Sequence, residues 1–446
     1  MFEKVLVANR GEIALRVVRA CQELGVVGVA VYSDADETAL HVRRADEAVR
    51  IGPPPAGKSY LDADALIEAA KETDAEAVHP GYGFLAENAA FASACRDAGL
   101  VFIGPSPEAI EKMGNKSAAR RLAREAEVPV VPGSDDASSA NEAAQTAGGI
   151  GYPIMVKAAA GGGGRGIRVA EDEEGLRKAV QVARREAEAA FGDGTLYLEK
   201  LLLTPRHVEV QVMGDHEDNV IHLYERECSM QRRRQKILEE APSPGISPKV
   251  REKMTAAAVR LAREAGYANA GTVEFLVEGD EFYFIEMNTR IQVEHPVTEM
   301  LTGVDLVKEQ IRIAAGEPLR LKQEDVPMVG HAMEFRINAE DPDQDFMPSP
   351  GEIAFLEVPG GPGVRVDSAI YQGYKIPPFY DSMVGKLIVW ALTREEAISR
   401  ARRALREYRL EGIETTLPLH LRLLEGEVLR SGEYHTGYLE ELLNGG

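Results

Sequence analysis

The sequence predicts an α/β protein in three parts: an N-terminal doubly wound parallel sheet, a small mobile α+β lid and a C-terminal domain of mixed α+β structure. In the first part, short apolar runs at 5–8, 26–31 and 101–103 alternate with helical patterns, which indicates parallel strands joined by crossover helices. In the middle, four consecutive glycines at 161–164 separate two strand-like segments. After about residue 203, hairpin patterns with interspersed helices indicate the third part.

Composition limits the function classes. The chain has 446 residues, 44% of them hydrophobic, and a net charge of −21, which suits two or three packed domains and disfavours nucleic-acid binding through charge repulsion. No apolar run approaches the ~18 residues that a membrane span needs. The three cysteines lie far apart without metal-ligand spacing, which favours a reducing compartment. We expect a cytoplasmic protein with neither nucleic acid nor membrane as partner.

The predicted domain boundaries follow these changes of pattern. An α/β domain covers 1–112, a helical linker 113–130, the lid with its glycine-rich flap 131–202 and the C-terminal domain 203–446. The first strand lacks the GxGxxG signature of dinucleotide-binding folds, so no dinucleotide is assigned. The loop HPGYGF, with Tyr82 between two glycines, follows a parallel strand at its carboxyl end. Ligands often bind at such ends, although a plain turn is the commoner interpretation.

The glycine run is not a Walker loop. A Walker loop leads into a helix, whereas here the glycines are followed by the β-branched segment IRVA, which predicts a hairpin-like flap. Such a tip can place backbone amides against phosphate oxygens and close over a nucleotide, and Lys157 on the incoming strand can add a positive charge. A flexible surface loop is the alternative that the residues leave open.

Two glutamates lie within the apolar strands of a predicted hairpin, Glu274 in the first strand and Glu286 in the second. If the loop has three residues, Gly279 to Glu281, the two glutamates face each other; a two-residue loop would place them on opposite faces. Opposed carboxylates roughly 5 Å apart destabilise a sheet unless a cation lies between them. Hard oxygen ligands favour Mg²⁺ or Mn²⁺, so the hairpin predicts a metal site, with a polar hairpin face as the alternative.

Polar residues recur at every second position beyond this hairpin, which predicts a continuing strand with one polar face formed by Glu286, Asn288, Arg290, Gln292 and Glu294. The same alternation recurs at Glu334, Arg336, Asn338 and Glu340. This mixture of groups suits a site that orients a small anion beside a metal-bound phosphate, although a solvated strand would show it too. The basic cluster QRRRQK at 231–236 is either a solvated patch or part of such a site.

Six segments together resemble biotin carboxylase, the ATP-grasp subunit of acetyl-CoA carboxylase: ANRGEIALR, HPGYGFLAEN, KAAAGGGGRG, ECSMQRRRQK, IEMNTRIQVEHPVTE and RINAEDP. The resemblance implies the ATP-grasp architecture and ATP-dependent carboxylation of biotin by bicarbonate through carboxyphosphate, as the first half-reaction of acetyl-CoA carboxylase in fatty acid biosynthesis. The implied cofactors are ATP and Mg²⁺ or Mn²⁺, and biotin is the carrier-bound substrate. The alternative is another ATP-grasp ligase that forms an acyl phosphate.

The resemblance also implies the role of each site residue. The implied ATP-binding residues are Lys116, Lys157, Gly162, Gly163, Gly164, Glu199, Lys200, Leu202 and His207. Glu274 and Glu286, with Asn288 beside them, match the metal site. The implied bicarbonate pocket comprises Lys236, Arg290, Gln292, Val293 and Glu294, and the biotin site comprises Tyr82 and Arg336. The implied catalytic residues are Lys236, Arg290, Glu294, as the base that deprotonates bicarbonate, and Arg336, as the group that stabilises an enolate-like biotin.

The resemblance extends to partners. Arg19, Glu23 and Arg365 match family dimer contacts, so we expect a homodimer, although Pro362 replaces an aromatic residue there. A second departure is Arg234 in place of a usual histidine. The sequence contains neither the Met-Lys biotinylation motif nor a carboxyltransferase region. We therefore expect a stand-alone subunit whose partners are a biotin carboxyl carrier protein and carboxyltransferase subunits.

Overall fold

The computed structural model describes residues 1–134, 140–158, 168–191 and 194–445. Contacts divide the chain into two compact units. The large unit comprises Met1–Val128, Arg206–Phe282 and Glu286–Gly446, and the small unit comprises Pro129–Pro205 and Tyr283–Ile285. The four predicted domain ranges stay a prediction beside this division.

The large unit begins with alternating strands and helices. The strands are β1 (Lys4–Val7), β2 (Val27–Ser33), β3 (Glu47–Gly52), β4 (Ala77–His79) and β5 (Val101–Phe102). The helices are α1 (Gly11–Glu23), α2 (Leu40–Arg44), α3 (Ala63–Glu72), α4 (Ala89–Asp97), α5 (Pro107–Gly114) and α6 (Lys116–Glu125). The strands form one parallel sheet in the order β3-β2-β1-β4-β5, which confirms the predicted doubly wound domain.

Side-chain caps fix where several of these helices begin. Asp62, Asn88, Ser106 and Asn115 each accept a hydrogen bond from the backbone amide three residues on, which satisfies an amide that the first helical turn leaves free. The cap at Asn115 therefore makes Lys116 the first residue of α6. The loop after β4 brings Tyr82 to the carboxyl edge of the parallel sheet, as its sequence predicts.

The small unit contains α7 (Ala140–Ile150), β6 (Ile154–Ala158), β7 (Arg168–Ala170), α8 (Glu173–Phe191) and β8 (Leu196–Lys200). Strand β6 pairs antiparallel with both β7 and β8. The pairing of β6 with β7 confirms that the two segments on either side of the glycine run form antiparallel strands. Gly162, Gly163 and Gly164 themselves lie outside the described residues.

The remaining strands are β9 (Arg206–Gly214), β10 (Val220–Arg232), β11 (Gln235–Ala241), β12 (Asn269–Glu278), β13 (Glu281–Asn288), β14 (His331–Asn338), β15 (Glu340–Asp341), β16 (Met347–Pro348), β17 (Phe355–Glu357), β18 (Val364–Ser368), β19 (Met383–Ala391) and β20 (Arg409–Glu411). The remaining α-helices are α9 (Pro248–Glu264), α10 (His295–Thr302), α11 (Leu306–Ala314), α12 (Arg394–Glu407), α13 (Leu417–Glu425), α14 (Glu427–Ser431) and α15 (Tyr438–Leu443). An eight-stranded sheet runs in the order β13-β12-β9-β10-β11-β14-β19-β18.

Register separates the two faces of this sheet. Leu238, Phe335, Leu387 and Val366 are successive partners across four strands, and they pack in a core that includes residues of α12 and α13. One residue further along β14, Arg336 is paired with Lys386, which in turn is paired with Asp367. Because side chains alternate between faces, the apolar row and the charged row lie on opposite sides of the sheet.

Candidate active site

Two buried carboxylates face each other on adjacent strands of the eight-stranded sheet. Glu209 on β9 and Glu274 on β12 are register partners, and they are 0% and 6% exposed. Arg226, the partner of Glu209 on β10, donates from Nε to Glu209 Oε1 at 2.5 Å. Its remaining N–H groups donate to Gln211, Thr272, Gln292 and Thr298. A buried guanidinium with five such bonds compensates the charge of Glu209.

The sequence analysis missed both Glu209 and Arg226. For Glu209 a signal was present, since His207, Glu209 and Gln211 alternate with valines in the same period of two that pointed to Glu274. For Arg226 the signal was weaker. Its pairing with Glu209 depends on a register shift in β10 between His222 and Glu225, which no local pattern predicts.

Lys236 joins three carboxylates. Its Nζ lies 2.6 Å from Glu209 Oε2, 3.2 Å from Glu274 Oε1 and 2.5 Å from Glu294 Oε1. Burial alone would lower the pKa of Lys236, but Cys228 and these three carboxylates raise it well above its ordinary value. Lys236 is therefore a fixed cation at the centre of the cluster, and it brings the predicted base and a predicted metal ligand to one ammonium group.

The hairpin between β12 and β13 is shorter than expected. The turn contains two residues, Gly279 and Asp280, because β12 ends at Glu278 and β13 begins at Glu281. The assumption of a three-residue loop is therefore wrong. Gly279 has φ of +63°, which is the conformation that a two-residue turn with glycine in its first position requires.

The two hairpin glutamates nevertheless interact. Burial and then the negative charge of Glu274 raise the pKa of Glu286. Along β13, more and less buried residues alternate from Phe282 to Ile285, and the alternation then slips by one residue at Glu286. The carboxylates therefore act on each other although the turn is shorter than expected.

The predicted strand after Glu286 ends early. Strand β13 stops at Asn288, and Glu294 is the residue before α10, which has Pro296 in its first turn. Proline favours the start of a helix and cannot donate within a sheet, so the expected strand to Glu294 is wrong. The polar residues still converge, because Asn288 Nδ2 and Gln292 Nε2 each donate to Glu274 Oε1 at 2.8 Å.

Arg290 is held in the same loop. Its Nη2 donates to Asn288 Oδ1 at 3.0 Å, and its Nε donates to Glu87 Oε2 at 2.7 Å. Glu87 also accepts from the backbone amide of Thr289 at 3.0 Å. A residue from the parallel-sheet domain, absent from the predicted set, thus orients the guanidinium of Arg290.

Glu294 lies between two cations. Its Oε1 accepts from Lys236, and its Oε2 accepts from Arg336 Nη2 at 2.9 Å, while Arg336 Nε donates to Glu239 Oε1 at 2.7 Å. Burial opposes ionisation of Glu294, but Lys236, Arg336 and Arg226 outweigh it and hold its pKa well below its ordinary value. Glu294 is therefore an ionised carboxylate at neutral pH and can accept a proton.

A cleft of about 530 Å³ in the large unit brings together predicted residues from distant parts of the chain. Its lining includes Tyr82, Arg290, Val293 and Arg336. The Tyr82 hydroxyl is hydrogen-bonded to Glu12, which also lines the cleft. The volume lies in the usual range for small-molecule sites, and the three guanidinium groups in the lining, those of Arg10, Arg290 and Arg336, suit an anionic ligand.

The predicted ATP-binding residues fall in both units. In the large unit, Lys116 Nζ lies 3.8 Å from Glu286 Oε2, and His207 Nε2 lies 2.8 Å from Glu274 Oε2. In the small unit, Lys157 on β6 is paired with Glu199 on β8, and Lys200 ends that strand. Leu202 follows as a buried residue. Lys116 and His207 thus adjoin the predicted metal ligands.

The donor set fits a hard divalent cation. Within the described part of the chain, His207, Glu209 and Glu274 offer ligand atoms that all lie within 4.8 Å of one another, as do Glu209, Cys228 and Glu294. The first set lies beside Asn288 and interacts with Glu286. Carboxylate-rich sets of this kind suit Mg²⁺ bound together with nucleotide phosphates.

Two of the expected dimer-contact residues form ion pairs within the chain, and Arg234, which stands in place of the family's usual histidine, lies at the surface. Arg365 donates from Nη1 to Glu299 Oε2 at 2.7 Å and also pairs with Asp367. Glu23 is paired with Lys308. Arg234 is exposed in the turn between β10 and β11, with φ of +67°.

The parallel-sheet domain, the small unit built on antiparallel strands and the carboxylate-lined eight-stranded sheet together define the ATP-grasp class of ligases. Models of known families place the chain within that class: Biotin carboxylase, N-terminal domain at 1–110, Carbamoyl-phosphate synthase L chain, ATP binding domain at 115–322, and Biotin carboxylase C-terminal domain at 334–441. The chain belongs to the biotin carboxylase family, ATP-dependent ligases that carboxylate biotin.

Individual relatives cover the whole chain. A pyruvate carboxylase subunit of Methanothermobacter thermautotrophicus is 56% identical over 446 residues, which cover 100% of this chain and 91% of the relative. Biotin carboxylase 1 of Bacillus subtilis is 56% identical over 443 residues, 99% of this chain and 98% of the relative. A structure of the Hydrogenobacter thermophilus 2-oxoglutarate carboxylase biotin carboxylase domain dimer, with MgADP, ADP and bicarbonate, matches with a TM-score of 0.89 at 53% identity, covering 99% of this chain and 98% of that one.

Across the residues that the structure describes, no helix is both long enough and apolar enough to pass through a lipid bilayer.

Proposed function

We propose that this chain uses ATP to activate bicarbonate as carboxyphosphate and then carboxylates the N1 nitrogen of biotin. One observation carries the proposal: Glu294 is fixed between Lys236 and Arg336, and Arg336 lines the cleft together with Tyr82. A base held ionised beside a binding cleft is what bicarbonate activation requires. The Hydrogenobacter relative bears bicarbonate and MgADP in its structure, which supports the same ligands here.

The side chains divide the first step between them. Lys236, Arg290, Gln292 and the backbone of Val293 hold bicarbonate, and Glu294 takes its proton. The freed oxygen attacks the γ-phosphorus of ATP, so that carboxyphosphate forms and ADP leaves. Cations on both sides of Glu294 stabilise the negative charge that remains on the substrates.

In the second step, carboxyphosphate splits into CO₂ and phosphate, and the phosphate accepts the N1 proton of biotin. Arg336 stabilises the enolate-like biotin while N1 attacks CO₂. Tyr82, which lines the same cleft, contacts biotin. Glu239, bound to Arg336 Nε, keeps the guanidinium in place.

Nucleotide and metal are held by the neighbouring residues. Glu274 and Glu286, with Asn288 beside them, hold Mg²⁺ or Mn²⁺, which neutralises phosphate charge when bound. The nucleotide is bound by Lys116, Lys157, Gly162, Gly163, Gly164, Glu199, Lys200, Leu202 and His207. The hydrogen bond between His207 and Glu274 supports a nucleotide site that adjoins the proposed metal ligands.

We also propose that the chain is the cytoplasmic biotin carboxylase subunit of acetyl-CoA carboxylase. Its partners are then a biotin carboxyl carrier protein, carboxyltransferase subunits and a second copy of itself, as in the dimeric relative. The free, buried Cys21, Cys95 and Cys228 suit a reducing cytoplasm. Reconstitution of the chain with carrier protein and carboxyltransferase should yield malonyl-CoA from acetyl-CoA; carboxylation of pyruvate instead would contradict this assignment.

The test of the activity is ATP hydrolysis by the purified chain. Hydrolysis should depend on bicarbonate and Mg²⁺, and free biotin should stimulate it while ¹⁴C-bicarbonate enters carboxybiotin. Stimulation by glutamine or ammonia without carboxybiotin would instead identify a different acyl-phosphate-forming ligase. Size-exclusion chromatography with light scattering should give the mass of a dimer.

A further inference from the structure

Lys386 is a buried cation that the roles above leave out. It lies on β19 with 0% of its side chain exposed. Its Nζ donates to the backbone carbonyl of Val293 at 2.8 Å and lies 3.2 Å from Glu12 Oε1. The same Nζ lies 5.9 Å from the centre of the Tyr82 ring. One ammonium group therefore contacts residues associated with both substrates.

Lys386 stays charged because carboxylates surround it. Burial alone would lower its pKa, but Glu12, Glu334 and Asp367 outweigh burial and raise the pKa above its ordinary value. Asp367 is its register partner on β18, and Arg336 is its register partner on β14. Both oxygens of Glu334 lack a hydrogen-bond partner among the described residues. Burial raises the pKa of Glu334 well above its ordinary value, and the charge of Lys386 opposes that rise.

The contacts of Lys386 connect two walls of the cleft. Glu12 and Tyr82 belong to the parallel-sheet domain, whereas Val293 lies immediately before Glu294 and α10. All three residues Glu12, Tyr82 and Val293 line the cleft, but Lys386 is not part of the lining. It therefore acts from behind the surface that a substrate meets.

We propose that Lys386 is a positioning residue that sets the spacing between the biotin wall, formed by Glu12 and Tyr82, and the bicarbonate wall at Val293. The inference rests on the proposed function of the cleft. Through Glu12 it orients the Tyr82 hydroxyl, and through the Val293 carbonyl it holds the segment that carries Glu294. A displacement of about 1 Å between reacting groups can cost a hundredfold in rate, so the loss of this link should affect both substrates.

The test replaces Lys386 with methionine, which keeps much of the apolar volume and removes the charge. The matched control is Arg394→Met, because Arg394 also holds a buried carboxylate, Glu240, but does not line the cleft. In biotin-stimulated, bicarbonate-dependent ATP hydrolysis, Lys386→Met should raise the KM for biotin and for bicarbonate by about tenfold each, with the KM for ATP within about twofold. Arg394→Met should leave all three KM values within about twofold, even if its unfolding temperature falls as much as that of Lys386→Met.

Glu12→Gln separates the two contacts of Lys386, the one to Glu12 and the one to Val293. Glu12 links Lys386 to Tyr82 but has no bond to Val293, so this variant should raise the KM for biotin and leave the KM for bicarbonate unchanged. If Lys386→Met does not fold, Glu12→Gln still tests the proposed positioning role of Lys386. Unchanged KM values in a folded Lys386→Met, or in Glu12→Gln, would overturn the inference, as would equal changes in Lys386→Met and Arg394→Met. Failure of the proposed function would appear separately, as wild-type hydrolysis that biotin does not stimulate.

Discussion

The two sheets of the large unit place chemical groups in different ways. In the parallel sheet, Val5, Leu6 and Val7 on the central strand are fully buried, and Tyr82, which lines the cleft, lies in the loop beyond β4. In the eight-stranded sheet, fully buried ionisable side chains lie on the strands themselves, including those of Glu209, Glu239, Glu334 and Lys386. The parallel sheet is thus apolar, with a cleft residue at its edge, whereas the eight-stranded sheet carries ionisable side chains on one face.

The difference follows from how each sheet is covered. Parallel strands with helices on both faces leave room only for apolar side chains, so ligand groups gather at the carboxyl ends. In the eight-stranded sheet, cross-strand register sets charges of opposite sign side by side, as in Arg226 with Glu209 and Lys386 with Asp367. Strand register likewise places Lys236 on β11 and Arg336 on β14, the two cations that contact Glu294.

The largest effect is expected at Glu294, which contacts two cations on the eight-stranded sheet. We expect Glu294→Gln to reduce biotin-dependent turnover by about a thousandfold, because the amide cannot accept the bicarbonate proton. Nucleotide affinity, measured by calorimetry, should change little. The control Glu225→Gln alters another buried carboxylate, which is paired with Arg251 away from the cleft lining. Turnover within threefold of wild type would remove Glu294 from the role of base.

A smaller effect is expected where the same sheet uses charge for stability alone. Glu240 accepts from Arg394 at 2.7 and 2.9 Å and from His331 at 2.5 Å. Burial opposes its ionisation, but these partners lower its pKa to about 2. Removing one member of a buried pair costs about 3 kcal/mol, so Glu240→Gln should lower the free energy of unfolding by about that amount at pH 7.

The pH dependence of this effect has a definite sign. Since the pKa of Glu240 is lower in the folded state than its ordinary value of 4.5, its stabilisation is complete above pH 4.5 and is lost as the pH falls towards about 2. Denaturant unfolding of wild type and Glu240→Gln should therefore converge on the acid side. Stability curves of the two proteins that stay parallel at low pH would contradict this assignment. As a control, Glu407→Gln removes a carboxylate from the exposed ion pair with Arg403 and should change the free energy of unfolding by less than about 0.5 kcal/mol.

Metal dependence tests the hairpin end of the sheet. Chelation should abolish turnover, and Mg²⁺ or Mn²⁺ should restore it. Glu286→Gln should raise the Mg²⁺ concentration for half-maximal turnover by about a hundredfold, which corresponds to about 2.7 kcal/mol of binding free energy. A residue that binds the metal directly should matter at least as much as one that only hydrogen-bonds to a ligand. The exposed Glu281→Gln on the same hairpin is the control. An unchanged Mg²⁺ requirement in Glu286→Gln would exclude Glu286 as a ligand.

The smallest effect is expected in the parallel-sheet domain. His41 is fully buried beside the carbonyl of Val31 at 3.3 Å, and burial lowers its pKa to about 4. The unfolded chain therefore binds a proton first, so stability falls as the pH drops from 6.5 towards about 4, by about 2 kcal/mol between pH 6.5 and 5. His41→Gln should remove only the share of His41 from this slope in denaturant unfolding, because His79, His222, His295 and His420 also have lowered pKa values. The exposed His216→Gln should keep the slope in full. An unchanged slope in His41→Gln would assign the pH dependence to other groups.

Several residues that the structure places in or beside the cleft and the carboxylate cluster could be singled out from the sequence because their signals are local. Tyr82 follows a parallel strand, and Glu274 and Glu286 interrupt apolar strands, so each departs visibly from its surroundings. The predicted loop length and the strand to Glu294 failed because a glycine turn and Pro296 set those boundaries. Glu87 and Lys386 gave no signal, since each acts on residues about 200 and 90 positions away in the chain.

By itself, the sequence determined the class of fold and the types of group in the site, because periodicity, turn residues and isolated charges in apolar strands are local properties. Only the tertiary structure decided which charges meet. The register shift in β10 sets Arg226 against Glu209, and the packing of β19 brings Lys386 to Val293 and Glu12. Partnerships between distant strands depend on the arrangement of the whole sheet, which no single segment encodes.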